Sequence, residues 1–267
     1  RPRIADIGIR GDRIVAIGAR LGNAARTIDA SGLIVTPGFI DVHHHADITF
    51  KIFGKKRADE ASRIPSLTGN YNYAYQGVTT IVTGNCGLGY ARIGEFHDIL
   101  ARVRFGSNDY HLAPHGVIRQ ELFGDRQPQK LTPGELEAMK KRIAEEMEAG
   151  AVGMSCGLEY TPGAPTDTDE LIALAKVVKR YNGVYVTHIR DLTGTVYPDG
   201  RIGVIEALKE AIEIGKRAQV PVQISHIQIN QPIYGMTAQP MIELIAKARA
   251  EGVDITVDAY PYDAGSS

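Results

Sequence analysis

Seven short apolar runs punctuate the chain from Gly38 onward, with helical patterns between them. They are GFIDVHH (Gly38–His44), TTIVTGN (Thr79–Asn85), YHLAPHG (Tyr110–Gly116), AVGMSCG (Ala151–Gly157), VYVTHI (Val184–Ile189), PVQISHI (Pro221–Ile227) and DITVDAYPY (Asp254–Tyr262). Continuous apolar strands alternating with helices argue for a parallel sheet covered by helices. Seven such units predict an α/β fold, a (β/α)8 TIM-type barrel with seven strands visible and the eighth missing. No GxGxxG follows a strand, so a dinucleotide-binding sheet has little support. Because the chain stops at AGSS before an eighth strand, it is expected to be a fragment.

The helical stretches carry their own boundary signals. In TPGELEAMKKRIAEEMEAG, Thr132 is the expected N-cap, Pro133 opens the first turn and Glu135 completes a capping box. TDELIALAKVVKRYNG is expected to stop at Gly183, and PMIELIAKARAEG at Gly252. VIEALKEAIEIGKRAQ follows the same habit. Residues 1–36 read differently. ADIGIRGDRIVAIG (Ala5–Gly18) alternates around Gly11-Asp12, a strong hairpin signal. TIDASGLIVTPG (Thr27–Gly38) reads as another strand or two. So few strands need partners from elsewhere to be stable. The expected division is therefore residues 1–36 as part of a small domain and 37–267 as the barrel.

The chain has 267 residues, 43% of them apolar, enough to bury a substantial core. A formal net charge of −1 gives no electrostatic basis for a nucleic-acid or anionic-membrane partner. No run approaches the roughly 18 apolar residues of a membrane span. Two cysteines make no disulfide framework, which predicts a reducing, cytoplasmic setting. No signal peptide is visible; the chain opens on Arg1, so its natural start is expected to be absent.

In a barrel of this kind the chemistry sits where strands end. Five of the seven predicted strand ends carry His or Cys: His43 to His45, Cys86, His115, His188 and His226. His97 is the one histidine clearly placed in a helix. Side chains alternate along a strand, so His43 and His45 share a face suited to one cation, while His44 takes the other face as a structural residue. A lone strand-end His is more often structural than functional; five ends together point to a metal site. Imidazole and thiolate are preferred zinc ligands. Cys86 is read as a ligand and Cys156 as packing. His115 is either an outer-shell partner of the metal or a substrate contact. A bound Zn²⁺ is expected to activate water and polarise a carbonyl, which implies hydrolysis of an amide or similar bond, or hydrolytic deamination.

With these residues in hand, the chain resembles the amidohydrolase superfamily, and within it the D-aminoacylase (N-acyl-D-amino-acid deacylase) subgroup. The resemblance rests on PGFIDVHHH, QGVTTIVTGNCG, GAVGMSCGLEYTPG, VTHIRD, ISHIQ and DAYPYDAGSS. It implies a tight zinc site formed by Cys86, His188 and His226, and a second, weaker metal position with His43 and His45. It also implies substrate contacts from Tyr160, Gln228, Tyr260 and Ser266, and makes residues 1–36 part of a small β-sandwich. The substrate would be a small acylated amino acid, N-acyl and of D configuration, cleaved to a carboxylate and a free amino acid by metal-activated water.

Three departures stand out. His44 replaces the usual Thr or Ser. Neutral Gln228 replaces a common Lys, giving hydrogen bonds without charge, and Asp263 stands where Thr is common. The catalytic residue of such relatives, an eighth-strand Asp, lies beyond residue 267; by motif neither Asp258 nor Asp263 substitutes for it. Asp41 and Asp47 are unassigned, and a homo-oligomer is left open. Two alternatives remain. One is a cyclic-amide hydrolase of dihydroorotase or hydantoinase type, against which the lysine-free fourth strand counts. The other is a non-catalytic metal-binding relative.

Overall fold

A computed structural model describes residues 3–47, 68–103, 105–228 and 237–262. The chain divides into two compact units, Arg1–Pro37 and Gly38–Ser267. In the first, β1 (Asp6–Arg10) and β2 (Arg13–Gly18) form the antiparallel hairpin expected around Gly11-Asp12. Gly11 takes φ 61°, the left-handed conformation that a tight hairpin turn requires. The strands expected within Thr27–Gly38 are not formed. Ser31 N donates to Asp29 Oδ1 and Leu33 N to Ala30 O, both 2.9 Å, so the middle of this segment is a turn. Apolar alternation alone does not make a strand where no neighbour accepts its ladder.

The second unit is a seven-stranded parallel sheet in sequential order: β3 (Phe39–Asp41), β4 (Val78–Thr83), β5 (Asn108–Pro114), β6 (Gly153–Gly157), β7 (Val184–His188), β8 (Val222–Ile224) and β9 (Ile255–Val257). All seven runs read from the sequence are strands, in the order of a (β/α)8-type barrel. Strand β3 is shorter than its run, and His43 to His45 lie in the segment that follows it.

After the short α1 (Tyr71–Ala74) come α2 (Ile93–Val103), α3 (His115–Phe123), α4 (Pro133–Glu148), α5 (Thr168–Arg180), α6 (Gly203–Ala218) and α7 (Gln239–Ala250). Most of the longer helices bury an apolar stripe; α3 instead buries His115 and Arg119 beside Ile118. Helix α2 buries Ile93, Phe96, Ile99 and Val103, and α6 buries Val204, Leu208, Ala211 and Ile212 among others. The main core joins the α6 stripe and Ile93 to inward strand residues such as Met154, Tyr185, Val222 and Ile255, while Phe96, Ile99 and Val103 of α2 form a smaller cluster of their own. Each fully buried large aliphatic side chain there contributes about 1.5–3 kcal/mol.

The boundaries follow local chemistry. Thr132 and Glu135 form the capping box of α4, with Thr132 N donating to Glu135 Oε2 at 2.8 Å. Asp167 caps α5 by accepting from Glu170 N at 2.8 Å. The stop of α5 differs from expectation: Asn182, not Gly183, takes the left-handed conformation, at φ 57°. Asn tolerates that region, and Gly183 instead makes room, since a Cβ there would stand 2.7 Å from Met147. Gly252, at φ 87°, follows α7 as expected. No helix of the described residues is long and apolar enough to cross a membrane.

Candidate metal centre

The carboxyl ends of the strands bring a thiol and several imidazoles together. Cys86 follows β4 in a tight 3-10 turn, Asn85–Gly87. Its backbone is left-handed, with φ 58°, and His226 after β8 has φ 34°. A non-glycine residue in that region costs about 1–3 kcal/mol and persists only where its surroundings over-determine it. For Cys86 those surroundings are visible. Ser155 on β6 donates its hydroxyl to Gly84 O and accepts from Gly87 N at 2.9 Å, bracketing the turn. Tyr160 donates to Cys86 O at 2.8 Å. Asn85 Nδ2 donates to Val82 O at 2.9 Å. Gly157 has no room for a side chain, since a Cβ would stand 2.3 Å from Cys86 O.

Cys86 Sγ lies 3.4 Å from His43 Nε2 and 3.4 Å from His226 Nε2. One ligand atom from each of His43, Cys86 and His226 lies within 4.8 Å of the other two. His188 Nδ1 is 3.1 Å from His226 Nε2, and the His45 ring stands edge-on to His43 at 5.3 Å between centroids. The five side chains thus form one contiguous cluster, in which His43 approaches Cys86 as closely as His226 does. His44 turns away, its ring 4.0 Å from that of Tyr73 and its Nδ1 accepting from Ala46 N.

Carboxylates stand behind the imidazoles. Asp258, just after β9, lies 3.3 Å from His43 Nδ1, accepts from His226 N at 2.6 Å and from Gln223 Nε2 at 2.8 Å. Glu159, after β6, lies 3.0 Å from His188 Nε2. Asp41 accepts from His43 N at 3.1 Å. Burial pushes the Cys86 thiol up, but His188, His226, His43 and His45 outweigh it and hold the group well below its ordinary range. Burial would lower His43, yet Asp258 and Cys86 raise it to about 10. His188 is raised by Cys86 and Glu159 against its own burial.

The donor set suits a borderline-soft divalent cation: one thiolate and several imidazoles, two of them backed by carboxylates. His45 Nδ1 is buried without a hydrogen-bond partner among the described residues, a costly arrangement unless a ligand meets that atom. The residues therefore fit the ion that the sequence implied.

The remaining sequence-derived positions separate. Tyr160 closes over the cluster, its ring edge-on to His188 at 5.0 Å. Gln228 and Tyr260 are half-buried, and the Tyr260 ring stacks on Tyr262. Ser266 and Asp263 lie outside the described residues. His115 is fully buried and engaged with Glu170 Oε1 at 3.1 Å, which also pairs with Arg119. Cys156 is fully buried in the main core, where burial raises its thiol. Asp47 is buried beside Gly89, where a Cβ would stand 2.4 Å from Asp47 Oδ2. Sequence reasoning missed Glu159 and Ser155 and set Asp258 aside. Glu159 and Asp258 do carry a signal, since each is an acid within four residues of a strand end.

Together these features define the class, a (β/α)8-type barrel with a thiol–imidazole cluster at the strand ends. No family model matches the chain. It is 36% identical to a D-aminoacylase of Alcaligenes xylosoxydans xylosoxydans over 99% of this chain and 55% of that protein. A solved D-aminoacylase with a binuclear metal centre superposes with a TM-score of 0.81 at 31% identity, over 97% of this chain and 55% of the other. An N-acyl-D-glutamate deacylase from Bordetella bronchiseptica, complexed with zinc and a phosphonate inhibitor, gives 0.79 at 32% identity over the same shares. The chain belongs to the amidohydrolase superfamily, in its D-aminoacylase group. It spans about half the length of the curated relatives it matches.

Proposed function

We propose that the chain carries the metal-binding part of a zinc-dependent hydrolase that cleaves the amide bond of N-acyl-D-amino acids. The products are a carboxylate and a free amino acid. The observation that carries this reading is the convergence of Cys86, His43 and His226 from three strand ends in a relative of deacylases. Cys86, His188 and His226 would hold the tight ion, and His43 and His45 a second, weaker one. Zinc in such a site supplies a Lewis acid for the acyl carbonyl and lowers the pKa of water toward neutrality.

The chain's own residues do the rest. Asp258 and Glu159 fix the imidazole rings, and Ser155 and Tyr160 fix the turn that presents the thiolate. Tyr160, Gln228, Tyr260 and Ser266 are proposed to face the substrate, with Gln228 offering an uncharged amide to its carboxylate. Residues 1–36 are proposed to belong to a small β-sandwich. A cytoplasmic setting fits two free cysteines, one of them held toward the thiolate. A cyclic-amide hydrolase is disfavoured because β6, Gly153–Gly157, holds no lysine to bridge two metals.

The test is to incubate the purified full-length protein, including the part beyond residue 267, with N-acetyl-D-amino acids, with and without a chelator, and quantify released amine. Chelator-sensitive release is expected. No release from any acyl-amino acid by the zinc-loaded protein sinks the proposal.

A further inference from the structure

Glu159 sits between two things that both need it. Its Oε2 lies 3.0 Å from His188 Nε2. Its Oε1 accepts the backbone N–H of Leu192 at 2.9 Å and of Thr193 at 3.2 Å. The Leu192–Ile202 loop starts there, and Asp191 closes its first turn by accepting from Gly194 N and Thr195 N. On the other side of the imidazole, Nδ1 faces His226 Nε2 at 3.1 Å. The backbone around both residues is fixed by Leu158 N donating to His188 O at 3.1 Å, and the ring by Tyr160 edge-on.

A carboxylate only accepts hydrogen bonds. Accepting at Oε2, the carboxylate holds the ring N–H of His188 at Nε2, which leaves the Nδ1 lone pair toward the cluster. We propose that Glu159 is a positioning residue that sets the tautomer of His188, making Nδ1 the metal-facing atom, and ties that setting to the start of the Leu192–Ile202 loop. This rests on the metal-centre reading given above.

Glu159→Gln separates this role from a purely structural one. Its carbonyl oxygen still accepts from Leu192 and Thr193, so the loop contact survives. Its amide turns a donor toward Nε2, which must then offer a lone pair, and the proton moves to Nδ1, where ligation is blocked. Glu159→Ala loses both contacts. The experiment uses the purified protein and its two variants. It measures zinc dissociation constants by chelator competition, thermal midpoints without metal, and the site of the His188 proton by nitrogen-15 NMR of the metal-free form.

In the unsubstituted protein the proton is expected on Nε2. Glu159→Gln is expected to keep its midpoint, move the proton to Nδ1 and lose about 10- to 100-fold in zinc affinity. Glu159→Ala is expected to lose midpoint and affinity together. A Glu159→Gln variant that binds zinc as tightly as the unsubstituted protein overturns the proposal. So does one whose midpoint falls as far as that of Glu159→Ala with the proton still on Nε2. Failure of the unsubstituted protein to bind zinc removes the proposed function, and this inference with it.

Discussion

Two histidine-centred groups near the strand ends, one half-buried and one fully buried, use the same chemistry in opposite ways. In the first, His43, His188 and His226 aim ring nitrogens at one another and at Cys86, across strands β3, β4, β7 and β8. In the second, His115 on α3 closes on Glu170, which also holds Arg119, with His115 and Arg119 showing no exposure. The second group neutralises itself and braces α3 against α5. The first group instead turns several ring nitrogens toward one thiol, that of Cys86. Burial alone therefore does not mark function here; what the nitrogens point at does. His111 on β5 is a third arrangement. It lies between Thr83 Oγ1 at 2.6 Å and Tyr90 O at 3.0 Å, and burial lowers it to about 4.

The largest expected effect lies in the first group. Cys86→Ala should reduce zinc affinity more than any change to a residue that merely orients a ligand, so by more than about 100-fold. Elemental analysis after dialysis reads this directly, and unchanged zinc content would erase the distinction between the two groups. Next comes the second group. Glu170→Ala strands Arg119 as a buried, unpaired cation and should cost about 3–5 kcal/mol in urea unfolding. Zinc affinity of the folded fraction should stay the same; a parallel loss would show that the groups are coupled.

The smallest effect sharpens the contrast through pH. His111 titrates near 4 when folded and near 6.5 when unfolded, so the unfolded chain binds more protons between those values. Its contribution is present above pH 6.5 and is lost as pH falls toward 4, by up to about 3 kcal/mol. His111→Gln should flatten the stability profile over that window relative to the unsubstituted protein. An unchanged slope would mean His111 stays accessible to protons in the fold.

Much of this was legible in advance because it is local. The seven strand runs, the Thr132–Glu135 cap and the Gly11-Asp12 turn depend on neighbours a few residues away. The Thr27–Gly38 strands failed for the complementary reason: a strand is a property of a pair, and no pair formed. The stop of α5 moved by one residue because Gly183 is needed for packing against Met147, leaving Asn182 to take the left-handed turn. In the site, His and Cys announced themselves by residue type. Glu159 and Asp258 carried only the weaker signal of an acid near a strand end, and Ser155, in the middle of β6, carried none.

The sequence by itself determined the order of strands and helices, the family's motifs and the residue types able to hold zinc. Only the tertiary structure decided which atoms of those residues meet. It brought His43 beside Cys86, spent His115 on Glu170, and set Glu159 behind His188 and Asp258 behind His43. The physical reason is range. Periodicity and capping act over a few residues, whereas the contacts that orient a ligand join residues far apart in the chain. A strand register, a left-handed turn at Cys86 and a ring orientation are fixed only when the whole sheet has closed around them.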